Sequence, residues 1–122
     1  MTEAVLFHHV QGRTPGVDAL AAALRAGGHE VHVPDLFDGH RPATIEDGVA
    51  FVRGVDDDEW ARRVDAAMAG RPDDVVTIGI SWGAAIAQRL AQQWPGVRGA
   101  VLLESFVAVD AHWSFGPWPT AV

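Results

Sequence analysis

One run, from Asp74 to Ala87, constrains what this 122-residue chain can become more than any other. Val75, Val76, Ile78 and Ile80 form a β-branched stretch without a charge, and Ala87, Leu90, Ala91 and Trp94 then recur at i, i+3, i+4 and i+7. The first half predicts a buried strand and the second an amphipathic helix. Pro95-Gly96 stops that helix. Between them lies Gly79-Ile80-Ser81-Trp82-Gly83, a G-x-S-x-G pattern. At a strand-to-helix junction this pattern has a steric reason. The central Ser takes a strained backbone conformation that lifts its hydroxyl above the sheet, and the flanking glycines approach too closely for a Cβ. The helix then turns its free N–H groups and positive dipole end toward that hydroxyl. The bland alternative is a glycine-rich turn in an ordinary βα unit.

Composition narrows the partners. Apolar residues make up 48% of the chain, enough for one globular domain with a real core. There is no Cys, hence no disulfide framework and no thiolate metal site. The net charge is −7 and all 9 basic residues are Arg, without a basic cluster. That balance argues against nucleic acid and against an anionic membrane surface. No apolar run is long enough to span a membrane and no leader pattern opens the chain, so a cytoplasmic protein is expected.

The rest of the chain alternates strands with helices. Residues 4–10 and 29–33 read as strands, as do 75–80 and 99–104. Thr14-Pro15 opens a helix with the stripe Val17, Leu20, Ala21 and Leu24, closed by Gly27-Gly28. Thr44 to Asp47 has capping-box spacing ahead of a short helix whose apolar face is Ile45, Val49 and Val52. Asp56 to Glu59 reads as the acidic first turn of a further helix with the stripe Trp60, Val64 and Met68. A cation site on that acidic run is the less favoured reading, and no metal or cofactor is expected. The alternation predicts an α/β fold with a parallel sheet, helices on both faces and right-handed crossovers. Ligands on such sheets bind at the carboxyl ends of strands. His8, His9, Asp35, Ser81 and Glu104 all fall at such ends.

Several stretches together resemble the dienelactone hydrolase family of α/β-hydrolases. They are Phe7-His8-His9-Val10-Gln11-Gly12 with Pro15-Gly16, Gly28-His29-Glu30-Val31, Val33-Pro34-Asp35-Leu36-Phe37-Asp38-Gly39, and Gly79 to Gly83. The resemblance implies the front half of an α/β-hydrolase sheet, with strands 29–33, 4–10, 75–80 and 99–104 side by side in that order. It implies Ser81 as nucleophile and the backbone N–H groups of Trp82 and Val10 as the oxyanion hole. His9, Asp35 and Glu104 are further candidates for the cleft. The implied substrate is a small ester, lactone or thioester. The best-known family members carry Cys where Ser81 stands, a further Gly where Ala84 stands, and often a Glu where His9 stands. A mechanism that depends on that Cys and Glu therefore does not transfer, whereas general acyl hydrolysis does.

In α/β-hydrolases the triad runs Ser, then acid, then His. The family's acid and His follow later strands, and a complete domain of this kind needs roughly 200 residues or more. The expectation is therefore a single domain, 1–122, truncated at its carboxyl end and inactive alone. His112 is the only His after Ser81, and Glu104 is the variant position for an acid. The competing expectation is a non-catalytic domain that keeps the fold. An unpaired fourth strand beside Trp113, Phe115 and Trp118 further predicts self-association through the sheet edge.

Overall fold

The computed structural model describes residues 2–105. The elements in chain order are β1 (Glu3–Phe7), α1 (Pro15–Ala26), β2 (Glu30–His32), α2 (Ile45–Arg53), α3 (Asp57–Met68), β3 (Val75–Ile80), α4 (Trp82–Gln93) and β4 (Val97–Leu103). The four strands form one sheet in the order β2-β1-β3-β4, and every pairing is parallel. This is the strand order that the family resemblance implies. None of the described helices is long and apolar enough to cross a membrane.

Side chains alternate along β1 and divide the core into two layers. Val5 and Phe7 face α3 and α4, together with Trp60, Val64, Met68, Ala87 and Leu90. Ala4 and Leu6 face α1, against Val17 and Ala21. The apolar stripes read for α1, α3 and α4 are thus the faces that pack. Thr77 is buried in β3, where its hydroxyl donates to the Ala87 carbonyl at 2.9 Å and ties strand to helix.

Three local expectations need correction. The first strand ends at Phe7 rather than at residue 10. Beyond Phe7 the chain leaves the ladder and turns back so that the Gly12 N–H donates to the His9 carbonyl. The fourth strand begins earlier than expected, at Val97. The buried face of α2 is not Ile45, which is 61% exposed. Gly48 is buried instead, and Phe51 and Val52 pack on the core. A Cβ on Gly48 would overlap the Val10 carbonyl, so α2 lies with its backbone against the loop after β1. Thr44 caps this helix as expected, accepting from the Asp47 N–H at 3.1 Å.

On the α1 side, part of the sheet is uncovered among the described residues. Leu24, Val76, Ile78 and Val101 line an apolar groove of about 210 Å³ there. It includes Thr2 and His29 and so sits toward the amino ends of the strands, away from Ser81.

Candidate active site

The chain leaves β1 to one side to form β2 and then returns to the other side to form β3. The crevice at such a switch in direction is the usual ligand site of an open parallel sheet. The loop of His9 and Val10 leaves β1 on one flank of it, and Ser81 leaves β3 on the other.

Ser81 has φ 56° and ψ −111°, a conformation that side chains other than glycine rarely adopt. Its N–H donates to the Leu103 carbonyl at 2.8 Å and its carbonyl accepts from the Ala84 N–H at 2.9 Å. The strain is over-determined by the two glycines. A Cβ on Gly79 would overlap the Gly83 carbonyl, and a Cβ on Gly83 would overlap the Phe7 carbonyl. The first turn of α4 therefore rests directly on the carboxyl end of β1. In that first turn the Ala84 N–H is taken by the Ser81 carbonyl, and the N–H groups of Trp82 and Gly83 ahead of it have no i−4 partner, as at any helix start.

His8 is fully buried. The Leu36 N–H donates to its Nε2 at 3.0 Å, so the ring proton sits on Nδ1, which donates to the His9 carbonyl at 2.8 Å. Burial pushes the imidazole below its ordinary pKa and outweighs the opposing pull of the His9 carbonyl and of Asp35. The ring stands edge-on to Phe37 at 4.8 Å and 6.0 Å from Trp82. Phe37, Phe51, Trp60 and Trp82 continue as one aromatic cluster beneath the crevice. Sequence reasoning placed His8 at a strand end but missed its two ring bonds. It also missed this cluster, because the four aromatic residues come from a loop and three different helices.

The remaining candidates divide. His9 accepts from the Gln11 N–H at its Nδ1, 3.2 Å away, within its own loop. Asp35 holds a turn: its carboxylate accepts from the Phe37 and Gly39 N–H groups and pairs with Arg41 at 2.7 Å. Burial raises the Asp35 pKa, but the Arg41 guanidinium and the two N–H groups more than offset it and hold the carboxyl below the usual range. Its Oδ1 lies 4.0 Å from His8 Nε2, so the ends of β1 and β2 meet. Glu104 follows β4 with φ 71° and is exposed; its neighbour Leu103 touches Ser81 through the backbone. No group of three or more metal-ligating side chains is found among the described residues. In the acidic run, Glu59 pairs with Arg62 and Arg63. His112 and the aromatic residues from Phe106 to Trp118 lie outside the described residues.

A parallel sheet with this switch point and a strained Ser between strand and helix defines a class. The model of the alpha/beta hydrolase family matches residues 5–122, and the chain belongs to that family. Among solved structures it is similar to a His-to-Ala variant of PytH, with 31% identity and a TM-score of 0.64 over 88% of this chain. The chain spans 42% of that protein's length. No curated protein matches it.

Proposed function

We propose that this chain carries the nucleophile of a serine hydrolase acting on esters, lactones or thioesters. The observation that carries the reading is the Ser81 backbone, held at φ 56° between β3 and α4 by two contacts that only glycine permits. Such strain costs on the order of 1–3 kcal/mol and persists where the surroundings enforce it, typically at functional sites. The substrate class comes from the resemblance to dienelactone hydrolases.

In the proposed reaction Ser81 Oγ bonds to the acyl carbon while its proton passes to a base. The carbonyl oxygen becomes an oxyanion facing the N–H groups of Trp82 and Val10. Collapse of that intermediate breaks the bond to the leaving alcohol or thiol, and water later releases the acyl group. His8 is not the base, since both ring nitrogens are engaged and burial disfavours the protonated ring that proton transfer would create. The base and its acid belong to chain beyond β4, in the order usual for this fold. The 42% share of the PytH chain supports that placement.

Exogenous imidazole can serve as the base for Ser81 in a test. The 122-residue chain, given p-nitrophenyl acetate and imidazole, should acquire one acetyl group on Ser81 by mass spectrometry, and Ser81→Ala should not. Turnover should stay near background. Acetylation spread over other side chains, with none at Ser81, overturns the reading. A Ser81-dependent burst without imidazole, bell-shaped in pH, moves the base inside this chain, to His9 or His112.

A further inference from the structure

Several contacts converge on one peptide unit, that between His9 and Val10. Its carbonyl accepts from His8 Nδ1 at 2.8 Å and from the Gly12 N–H at 3.0 Å. A trans peptide is planar, so its N–H points opposite to its C=O. Fixing the His9 carbonyl therefore fixes the direction of the Val10 N–H. The next carbonyl, that of Val10, is backed by Gly48 of α2 so closely that a Cβ would not fit. Val10 is held on both sides.

The imidazole making the first contact cannot swing. It is fully buried and bonded at its far nitrogen by the Leu36 N–H. The Leu36 carbonyl in turn accepts from Arg63 of α3 at 2.8 Å. Phe37 closes one side of the ring and Trp82 stands beyond it. A chain of contacts thus runs from α3 through Leu36 and His8 to the peptide carrying the Val10 N–H.

We infer that His8 is a positioning residue, whose Nδ1–H, acting through the His9 carbonyl, aims the Val10 N–H at the oxyanion formed on the acyl group that Ser81 attacks. The inference rests on the reading of Ser81 as the nucleophile. Its physical basis is preorganisation: a donor aimed before charge develops needs no reorganisation at the moment of reaction. The loop holding Val10 contributes no strand or helix of its own, so without the imidazole the His9 carbonyl keeps one donor, the Gly12 N–H, in place of two and its peptide plane is less firmly aimed.

Two substitutions separate the roles of the ring. His8→Asn places an amide donor near the Nδ1 position and loses the acceptor for Leu36. His8→Gln places an acceptor near Nε2 and loses the donor to His9. Both give up comparable packing. In the ¹⁵N spectrum of the 122-residue chain the Val10 amide should keep its wild-type position in His8→Asn and shift in His8→Gln. The rate of imidazole-assisted acetylation at Ser81 should fall about 10- to 100-fold in His8→Gln and by no more than about threefold in His8→Asn. The ester concentration giving half the maximal rate should be the same in both. Equal shifts and equal rates in the two variants reduce His8 to packing and overturn the inference. Should either variant fail to fold, the wild-type ring nitrogens decide: a proton on Nε2 rather than Nδ1 removes the donor and ends the argument. Absence of acetylation at Ser81 in the wild type counts against the hydrolase reading instead, and the Val10 amide still reports whether His8 aims it.

Discussion

Gly83 and His8 carry the residue-scale logic of the site. Gly83→Ala puts a methyl group onto the Phe7 and His8 carbonyls, which belong to the end of β1 and cannot move independently. Ala is favoured over Gly in a helix by about 1 kcal/mol, but backbone overlap outweighs it. We expect a net loss of about 3 kcal/mol in urea denaturation. Gly99→Ala, where nothing lies within reach of the added methyl, should be neutral. Equal midpoints would remove the steric reason for the turn. His8 supplies a pH signature. Its folded pKa is lowered by burial, so below about pH 6.5 the unfolded chain binds the proton more readily. The stability this contributes is complete above that pH and is lost as pH falls below it. The urea midpoint should drop as pH falls below about 6.5, and His8→Asn should flatten that limb. Asp35, with its pKa also lowered, adds a further loss only in the carboxylate range.

At the scale of elements, α2 differs most from its sequence pattern. Ile45, Val49 and Val52 recur at helical spacing, yet Ile45 points to solvent and the contact face centres on Gly48. The reason is proximity: only a residue without a side chain lets α2 approach the Val10 carbonyl. Trp60 of α3 adds to the seating by donating its indole N–H to the Val52 carbonyl at 3.0 Å. Gly48→Ala should therefore lower the thermal midpoint, although Ala is the better helix former. It should also slow Ser81 acetylation, because α2 must retreat from the loop carrying Val10. Ile45→Ser should leave stability within about 0.5 kcal/mol. The opposite ranking would restore the face read from periodicity.

On the scale of the whole molecule, the described residues cover the sheet unevenly. β4 pairs only with β3 among the described residues. Its Val101 and Leu103 are 46% and 37% exposed, beside the apolar groove next to α1. An open strand edge with apolar side chains favours strand-to-strand association. We propose that the 122-residue chain self-associates through this edge. Light scattering should report species larger than a monomer, and Val101→Lys, which places a charge on the edge strand, should reduce them. A monodisperse monomer with a cooperative melt would argue that the edge is covered.

The strand order was implied by the resemblance of several stretches to a known family; the sequence alone determined two local features, the stripes of α1, α3 and α4 and the strand–Ser81–helix junction. These depend on local periodicity and on glycine spacing, which act within a few residues and leave a trace in the chain. Tertiary structure decided where β1 ends, which face of α2 is buried, and what His8 does. Each depends on groups far apart in sequence: the Leu36 N–H meeting the His8 ring, Gly48 meeting Val10, and Arg41 claiming the Asp35 carboxylate. A polar side chain such as His8 reads the same in a sequence whether it titrates in a cleft or stays neutral in a core. Only the partners that folding brings to its two nitrogens distinguish the two, because burial and hydrogen bonding, rather than residue type, set which proton it holds.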